Sequence, residues 1–329
     1  MTTPLTDSHG RTVRDLRVSI TDRCNFRCTY CMPQEGMVWS DRSELLTFEE
    51  LTRMVGVFTS RLGVTGLRLT GGEPTVRAHL PVLVRQLAGL PHRPDLAMTT
   101  NGATLRLIAE DLRAAGLDRL NISCDSLRPE RFMAITRRDA LPAVLDGIAA
   151  AKEAGFDPVK VNCVLVRGVN DDEIVDFACF GRDHGVTVRF IEFMPLDADG
   201  LWQRDAVVPS SEVLETIGAV YPLEAVDHGP EPAARFRYLD GGGEVGVIAS
   251  VTQPFCASCD RVRITADGQF RACLFALEET DLRAVLRGGG SDDDLEAVIR
   301  TAVGGKWAGH SIGQVTFLRP PRSMSQIGG

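Results

Sequence analysis

Through the first two thirds of the chain, short apolar runs alternate with amphipathic stretches. The runs are Leu16 to Ile20, Leu67 to Thr70, Leu96 to Thr100, Leu120 to Cys124, Val159 to Val166 and Val186 to Phe193. Each has about the length of a buried strand. Thr47 and Glu50 have capping-box spacing ahead of Leu51 to Val55, and Asn170 with Glu173 predicts a similar helix start. Gly63, Gly116, Gly155 and Gly185 stand where helices should stop. Six strand-then-helix units in series imply an α/β fold with a parallel sheet, and the continuous apolar character of the strands predicts burial on both faces. Polar residues at the end of nearly every run favour an incomplete (β/α)6 barrel over an open doubly wound sheet, because a barrel gathers such groups at its C-terminal mouth.

After about Pro209 the alternation gives way to Gly- and Pro-containing sequence, including His228-Gly-Pro230 and Gly241-Gly-Gly243. A smaller C-terminal module is expected, with the division placed at residues 1–225 and 226–329. Asp267-Gly268 predicts a two-residue hairpin turn between Arg261 to Ile264 and Phe270 to Cys273. Helical stretches near Leu282 to Leu286 and Leu295 to Val303 precede an irregular tail.

A hydrophobic fraction of 44% over 329 residues fits a globular chain with one large core and a smaller module. The net charge of -8 argues against wholesale binding to nucleic acid or anionic membrane, while leaving room for a local arginine cluster that takes a small anion. The N-terminus shows no signal-peptide pattern and no apolar run reaches membrane-spanning length, so a cytoplasmic location is expected. In a reducing compartment nine cysteines point to metal or redox chemistry rather than disulfides.

Cys24, Cys28 and Cys31 follow the first predicted strand at C-x3-C-x2-C spacing. Thiolates suit iron-sulfur clusters and zinc alike, yet both normally take four ligands. Either a distant Cys124 or Cys163 supplies the fourth, or one iron stays open to a substrate. A second trio, Cys256, Cys259 and Cys273, flanks the predicted hairpin, whose two-residue turn sets Cys273 opposite Val262 and roughly 10 Å from Cys259. A zinc-ribbon fragment remains the alternative there. Arg261 and Arg263, two apart on a strand, face one side and suit a polyanion through bidentate contacts.

The first trio, with Tyr30 before its last cysteine, resembles the radical S-adenosylmethionine superfamily, and Leu69-Thr-Gly-Gly-Glu-Pro74 resembles that superfamily's glycine-rich cofactor segment. There, glycine backbone at Gly71 and Gly72 is expected to approach the ligand closely. Across nearly the whole chain the resemblance narrows to the GTP 3',8-cyclase family, which begins molybdenum-cofactor biosynthesis. It is carried by Asp22 to Cys31, Arg68 to Pro74, Thr99-Thr-Asn-Gly102, Val159-Lys-Val-Asn162, Arg189 to Pro195, Phe255 to Arg263 and the terminal Ile327-Gly-Gly329. One departure is Asp260, where the family pattern often has Asn.

The resemblance implies a radical S-adenosylmethionine partial barrel and two 4Fe-4S clusters, on Cys24, Cys28 and Cys31 and on Cys256, Cys259 and Cys273. It implies contacts to S-adenosylmethionine from Tyr30, Gly71, Gly72, Ser123 and Met194. GTP contacts fall to Arg17, Arg68, Thr99, Lys160, Arg261, Val262 and Arg263, with Arg189 a further catalytic candidate beside Arg261, Arg263 and Lys160. It also implies an external one-electron reductant, hand-over to the next molybdopterin-pathway enzyme and compatibility with a homodimer. A radical peptide-modifying enzyme and a non-catalytic metal-binding regulator are the alternatives, the first disfavoured by the lack of further C-terminal cysteines.

Overall fold

The computed structural model describes residues 2–328 apart from 34, 198, 201, 228 and 230. His228, Pro230 and the terminal Gly329 therefore lie outside the described residues. The alternating half runs β1 (Asp15–Ser19), α1 (Phe48–Ser60), β2 (Gly66–Thr70), α2 (Leu80–Ala88), β3 (Asp95–Thr100) and α3 (Ala109–Ala115). It continues through β4 (Arg119–Ser123), α4 (Pro129–Thr136), α5 (Leu141–Glu153), β5 (Lys160–Leu165), α6 (Ile174–His184) and β6 (Thr187–Glu192). After α7 (Ser210–Gly218) come β7 (Leu223–Val226), β8 (Ala234–Tyr238), β9 (Glu244–Ile248), β10 (Arg261–Ile264), β11 (Gln269–Arg271) and β12 (Thr280–Asp281). The helices α8 (Leu282–Arg287), α9 (Asp292–Gly304) and α10 (Met324–Ile327) complete the chain.

All twelve strands form one sheet in the order β12-β11-β10-β1-β2-β3-β4-β5-β6-β9-β8-β7. From β10 to β9 every pairing is parallel, and the C-terminal strands extend both edges. Among the described residues no ladder joins β7 to β12, so the sheet is open rather than a closed barrel. It is nonetheless curved. Parallel strands twist relative to their neighbours, and the loop after β1 reaches over the sheet to just past β4, where the Tyr30 hydroxyl bonds Asp125.

The strands are not buried alike on both faces. Leu16, Val18, Leu67, Leu69, Leu120, Ile122, Val161, Val188 and Phe190 enter the main core with the helices. Their neighbours Arg17, Arg68, Asn121, Lys160, Asn162 and Arg189 alternate onto the other face, as a period of two demands. The expectation of two apolar faces is thus corrected: the helix side is apolar and the concave side is polar and cationic.

Local rules account for much of the scaffold. Thr47 and Glu50 form the reciprocal capping box of α1, which buries Leu51, Met54, Val55 and Phe58 along one stripe. Gly116 and Gly185 cap α3 and α6 in the left-handed conformation. Asn170 departs from its expected role. Its amide instead donates to the carbonyls of Asp125 (2.7 Å) and Val164 (2.9 Å) and accepts from Val166, while Glu173 binds Ser126 and the Leu127 amide. These non-local partners outcompete a local cap.

Candidate active site

The first cysteine loop leaves the C-terminal end of β1 and is held through its carbonyls. Arg27 donates to Cys24 (2.6 Å) and Phe26 (2.8 Å), Arg138 to Asn25 (3.0 Å) and Arg137 to Met32 (3.1 Å). The Gly-Gly segment after β2 lies directly against this loop. The Gly72 amide bonds the Thr21 carbonyl and the Glu73 amide bonds that of Arg23, both at 2.8 Å. A Cβ on Gly71 would stand 2.3 Å from the Thr21 oxygen, and one on Gly72 2.3 Å from the Arg23 oxygen. These glycines therefore let the cysteine loop approach, a constraint the expected ligand approach did not include. Glu73 locks the arrangement to β3, accepting from Thr75, Thr100 (2.6 Å) and the Asn101 amide (2.6 Å).

Burial, followed by like charge from nearby acidic groups and thiols, raises Cys24 to about 11 and Cys31 to about 12 and pushes Cys28 well up. Three thiols in so negative a setting ionise together only around a positively charged centre, which is the chemistry of a cluster's iron. Among the described residues no three His, Cys, Asp or Glu side chains close around a single metal ion. A cubane asks instead for thiols disposed around four irons.

Asp125, just past β4, was not singled out from sequence. It is buried, accepts from the Tyr30 hydroxyl and the Val164 amide (2.8 Å), and is pushed up to about 6 by burial. It fixes the aromatic ring between Cys28 and Cys31. Beside Tyr30 a cleft of about 230 Å³ is lined by Ile135, Val164, Val169 and Phe193. The C-terminal tail also reaches this region. Ile327 accepts from Ser19 at 3.1 Å, Ser325 bonds Met37 and Ser323, and a Cβ on Gly328 would stand 2.2 Å from the Ser19 hydroxyl.

The strand registers align the concave face into three rows. One runs Arg263, Arg17, Arg68, Ala97, Arg119; a second Thr99, Asn121, Lys160, Thr187; a third Ser123, Asn162, Arg189, Gly246. Burial first, then mutual repulsion, lowers Arg17 and Arg263 to about 9; burial is also the leading cause lowering Lys160 to about 8. The arginines remain cationic at neutral pH. The Nε atoms of Arg17, Arg68, Arg261 and Arg263 are buried with no hydrogen-bond partner, as is the Asn162 side-chain oxygen. Such groups call for a ligand that accepts from several guanidiniums. Val262 points away into the main core, so any ligand contact there runs through its backbone. Met194 packs with Cys273 against Leu196, Phe275 and Ile327.

The hairpin register differs from expectation. Ile264 pairs Phe270 and Arg263 pairs Arg271, making Ala266-Asp267-Gly268 a three-residue turn. Thr265 closes it, bonding Gln269 through both backbone and hydroxyl and the Gly268 amide through its carbonyl. Continued outward, this register sets Cys273 across from Arg261, one residue from the expected Val262. Fully buried Arg271 shapes the following turn, bonding Glu279 and the carbonyls of Leu274 (3.3 Å) and Ala276. Burial raises the Cys259 thiol, but Arg261, Lys306 and Arg263 together bring it down to about 7.

A three-cysteine loop after the first strand of a curved parallel sheet, locked to a Gly-Gly segment after the second, defines the class of radical S-adenosylmethionine enzymes. The family described as Radical SAM superfamily matches residues 18–180, and Molybdenum Cofactor Synthesis C matches residues 186–312. The chain is 49% identical over 328 residues to GTP 3',8-cyclase of Streptomyces coelicolor, covering 99% of this chain and 96% of that one. It is 49% identical to GTP 3',8-cyclase of Mycolicibacterium smegmatis, covering 99% and 92%. Among solved structures, Streptococcus suis SuiB matches with a TM-score of 0.62 at 12% identity, over 84% of this chain and 66% of that one. Native anSMEcpe with bound AdoMet matches at 0.58 and 15% identity, over 85% and 82%. Both share the fold.

The chain belongs to the GTP 3',8-cyclase family. It is a radical enzyme, and its superfamily brings a 4Fe-4S cluster and S-adenosylmethionine.

Proposed function

We propose that this enzyme converts GTP to 3',8-cyclo-7,8-dihydro-GTP in the first step of molybdopterin biosynthesis. Cys24, Cys28 and Cys31 hold the radical-generating cluster in this reading, and Cys256, Cys259 and Cys273 hold a second that faces the substrate. A cluster and S-adenosylmethionine held at the first trio would supply the radical chemistry needed to take hydrogen from C3' of GTP. The protein's own work is placement. Tyr30, Gly71, Gly72, Ser123 and Met194 position S-adenosylmethionine. Arg17, Arg68, Arg261 and Arg263 take the triphosphate, while Thr99, Lys160 and Arg189 orient the nucleoside and offset charge. Holding C3' against C8 matters because a carbon radical attacks any neighbouring C-H bond.

The observation that carries this reading is the set of buried guanidinium Nε atoms on the concave face that lack a hydrogen-bond partner, the nearest carboxylate being Asp15 at 3.8 Å from Arg17 Nε. In the same reading residues 1–225 carry the radical-generating site together with Arg17, Arg68, Thr99, Lys160 and Arg189 of the substrate face, and residues 226–329 add the second cysteine trio with Arg261 and Arg263. An external one-electron donor, a cytoplasmic setting and hand-over to the next pathway enzyme belong to the same proposal. No helix among the described residues is long and apolar enough to cross a membrane. GTP carrying deuterium at C3' tests the reading. Deuterium is expected in the 5'-deoxyadenosine formed; protium alone in that product overturns the assignment.

A further inference from the structure

Two buried cations outside the substrate face converge on the second cysteine loop. Lys306, just past α9, is 3% exposed and donates to the carbonyls of Cys259 (3.1 Å) and Arg261 (2.8 Å). Arg11, 245 residues before Cys256, donates to its carbonyl at 2.7 Å and to those of Ala308 (2.8 Å) and Trp307 (2.5 Å). Both cysteines of Cys256-Ala-Ser-Cys259 are thus gripped through their backbones. The segment after Lys306 also packs on this loop: a Cβ on Gly309 would stand 3.0 Å from Cys256 Cβ, and His310 Nε2 lies 3.0 Å from the Ser250 carbonyl.

The two cations differ in how their charge is met. Arg11 is paired with buried Asp7 at 2.6 Å. Lys306 has only neutral carbonyls as bonding partners in the described contacts, one of them on Cys259 itself. Neutral carbonyls alone do not balance a buried ammonium. Thiolates, and the anionic cluster they would carry, do.

We propose that Lys306 is the positioning residue of the second cysteine trio, fixing its loop through the Cys259 and Arg261 carbonyls and setting a positive charge against the cluster, with Arg11 securing the opposite end. This rests on the reading that Cys256, Cys259 and Cys273 hold a cluster. It makes that site depend on residues from both ends of the chain. Removing the charge exposes the reduced cluster to an unbalanced negative charge, which moves its potential negative.

The test uses the full chain with Cys24, Cys28 and Cys31 changed to Ser, so that only the second cluster is reconstituted. In that background, Lys306→Met is expected to speed iron loss to a chelator about 10-fold and to lower the midpoint potential, whereas Lys306→Arg retains both. Lys306→Gln keeps a donor without charge; it is expected to lower the potential even where Lys306→Met does not fold. Wild-type potential in Lys306→Gln, or Lys306→Arg as impaired as Lys306→Met, overturns the role of charge. A Lys306-containing chain that binds no iron in this background instead overturns the second-cluster reading itself.

Discussion

Alanine at Gly72 would test whether the glycine segment exists to seat the cysteine loop. Its Cβ would lie 2.3 Å from the Arg23 oxygen, 2.5 Å from that of Asp22 and 2.6 Å from the Arg23 carbonyl carbon. All three are backbone atoms, so no rotamer relieves the overlap. Restoring a C···O distance of about 3.3 Å means moving the loop by about 1 Å. That stretches the Gly72–Thr21 and Glu73–Arg23 bonds, now both 2.8 Å, beyond hydrogen-bonding range. At about 1 kcal/mol each, the loss is about 2 kcal/mol, or several degrees of melting temperature. Thermal melts of the metal-free chain and iron counts after anaerobic reconstitution should both fall. Gly155→Ala is the control. Gly155 has φ +80° with no atom within 4 Å of a built Cβ, so it costs about 1–2 kcal/mol in backbone strain without displacing a cysteine. Full iron and an unchanged melt in Gly72→Ala, or equal iron loss in Gly155→Ala, would refute the reasoning.

Three further outcomes follow from the electrostatics. Arg263→Ala should weaken GTP binding roughly 10- to 100-fold, the loss of a charge-assisted contact, with first-cluster iron retained; unchanged affinity by calorimetry contradicts its placement. Lys160 is lowered to about 8 mainly by burial and then by Arg189, and a bound polyanion raises it again. GTP binding should therefore take up a proton between about pH 7 and 9 and weaken as pH rises through 8; calorimetry in buffers of different ionisation enthalpy reads the sign, and proton release would contradict it. In the metal-free chain at pH 8, Cys259, brought to about 7 by its cationic neighbours, should alkylate well before Cys31, held near 12 by burial and like charge. Mass mapping that finds Cys31 modified first would reverse that assignment.

The strands were legible because each apolar run supplies a helix-facing row, and Gly116 and Gly185 stop helices where a left-handed residue is needed. The polar face was present in the same letters. Arg17, Arg68, Lys160 and Asn162 alternate with apolar residues, and a period of two would have separated the faces where the length of the runs did not. Local signals failed where a distant partner decides. Thr265 turns an Asp-Gly hairpin into a three-residue turn, and Asn170 abandons a cap for Asp125 and Val164. Asp125, Arg271, Arg11 and Lys306 carry no motif, since their roles depend on carbonyls and hydroxyls brought in by the fold. The net charge of -8 likewise conceals a cationic interior.

The most direct test is anaerobic reconstitution of the full chain with iron counted in the sample that turns over GTP and S-adenosylmethionine. Two 4Fe-4S clusters per chain and chromatographic separation of a cyclised product from GTP are expected. A preparation holding one cluster yet cyclising at full rate would contradict the two-cluster site, and S-adenosylmethionine cleavage without GTP cyclisation would contradict the substrate.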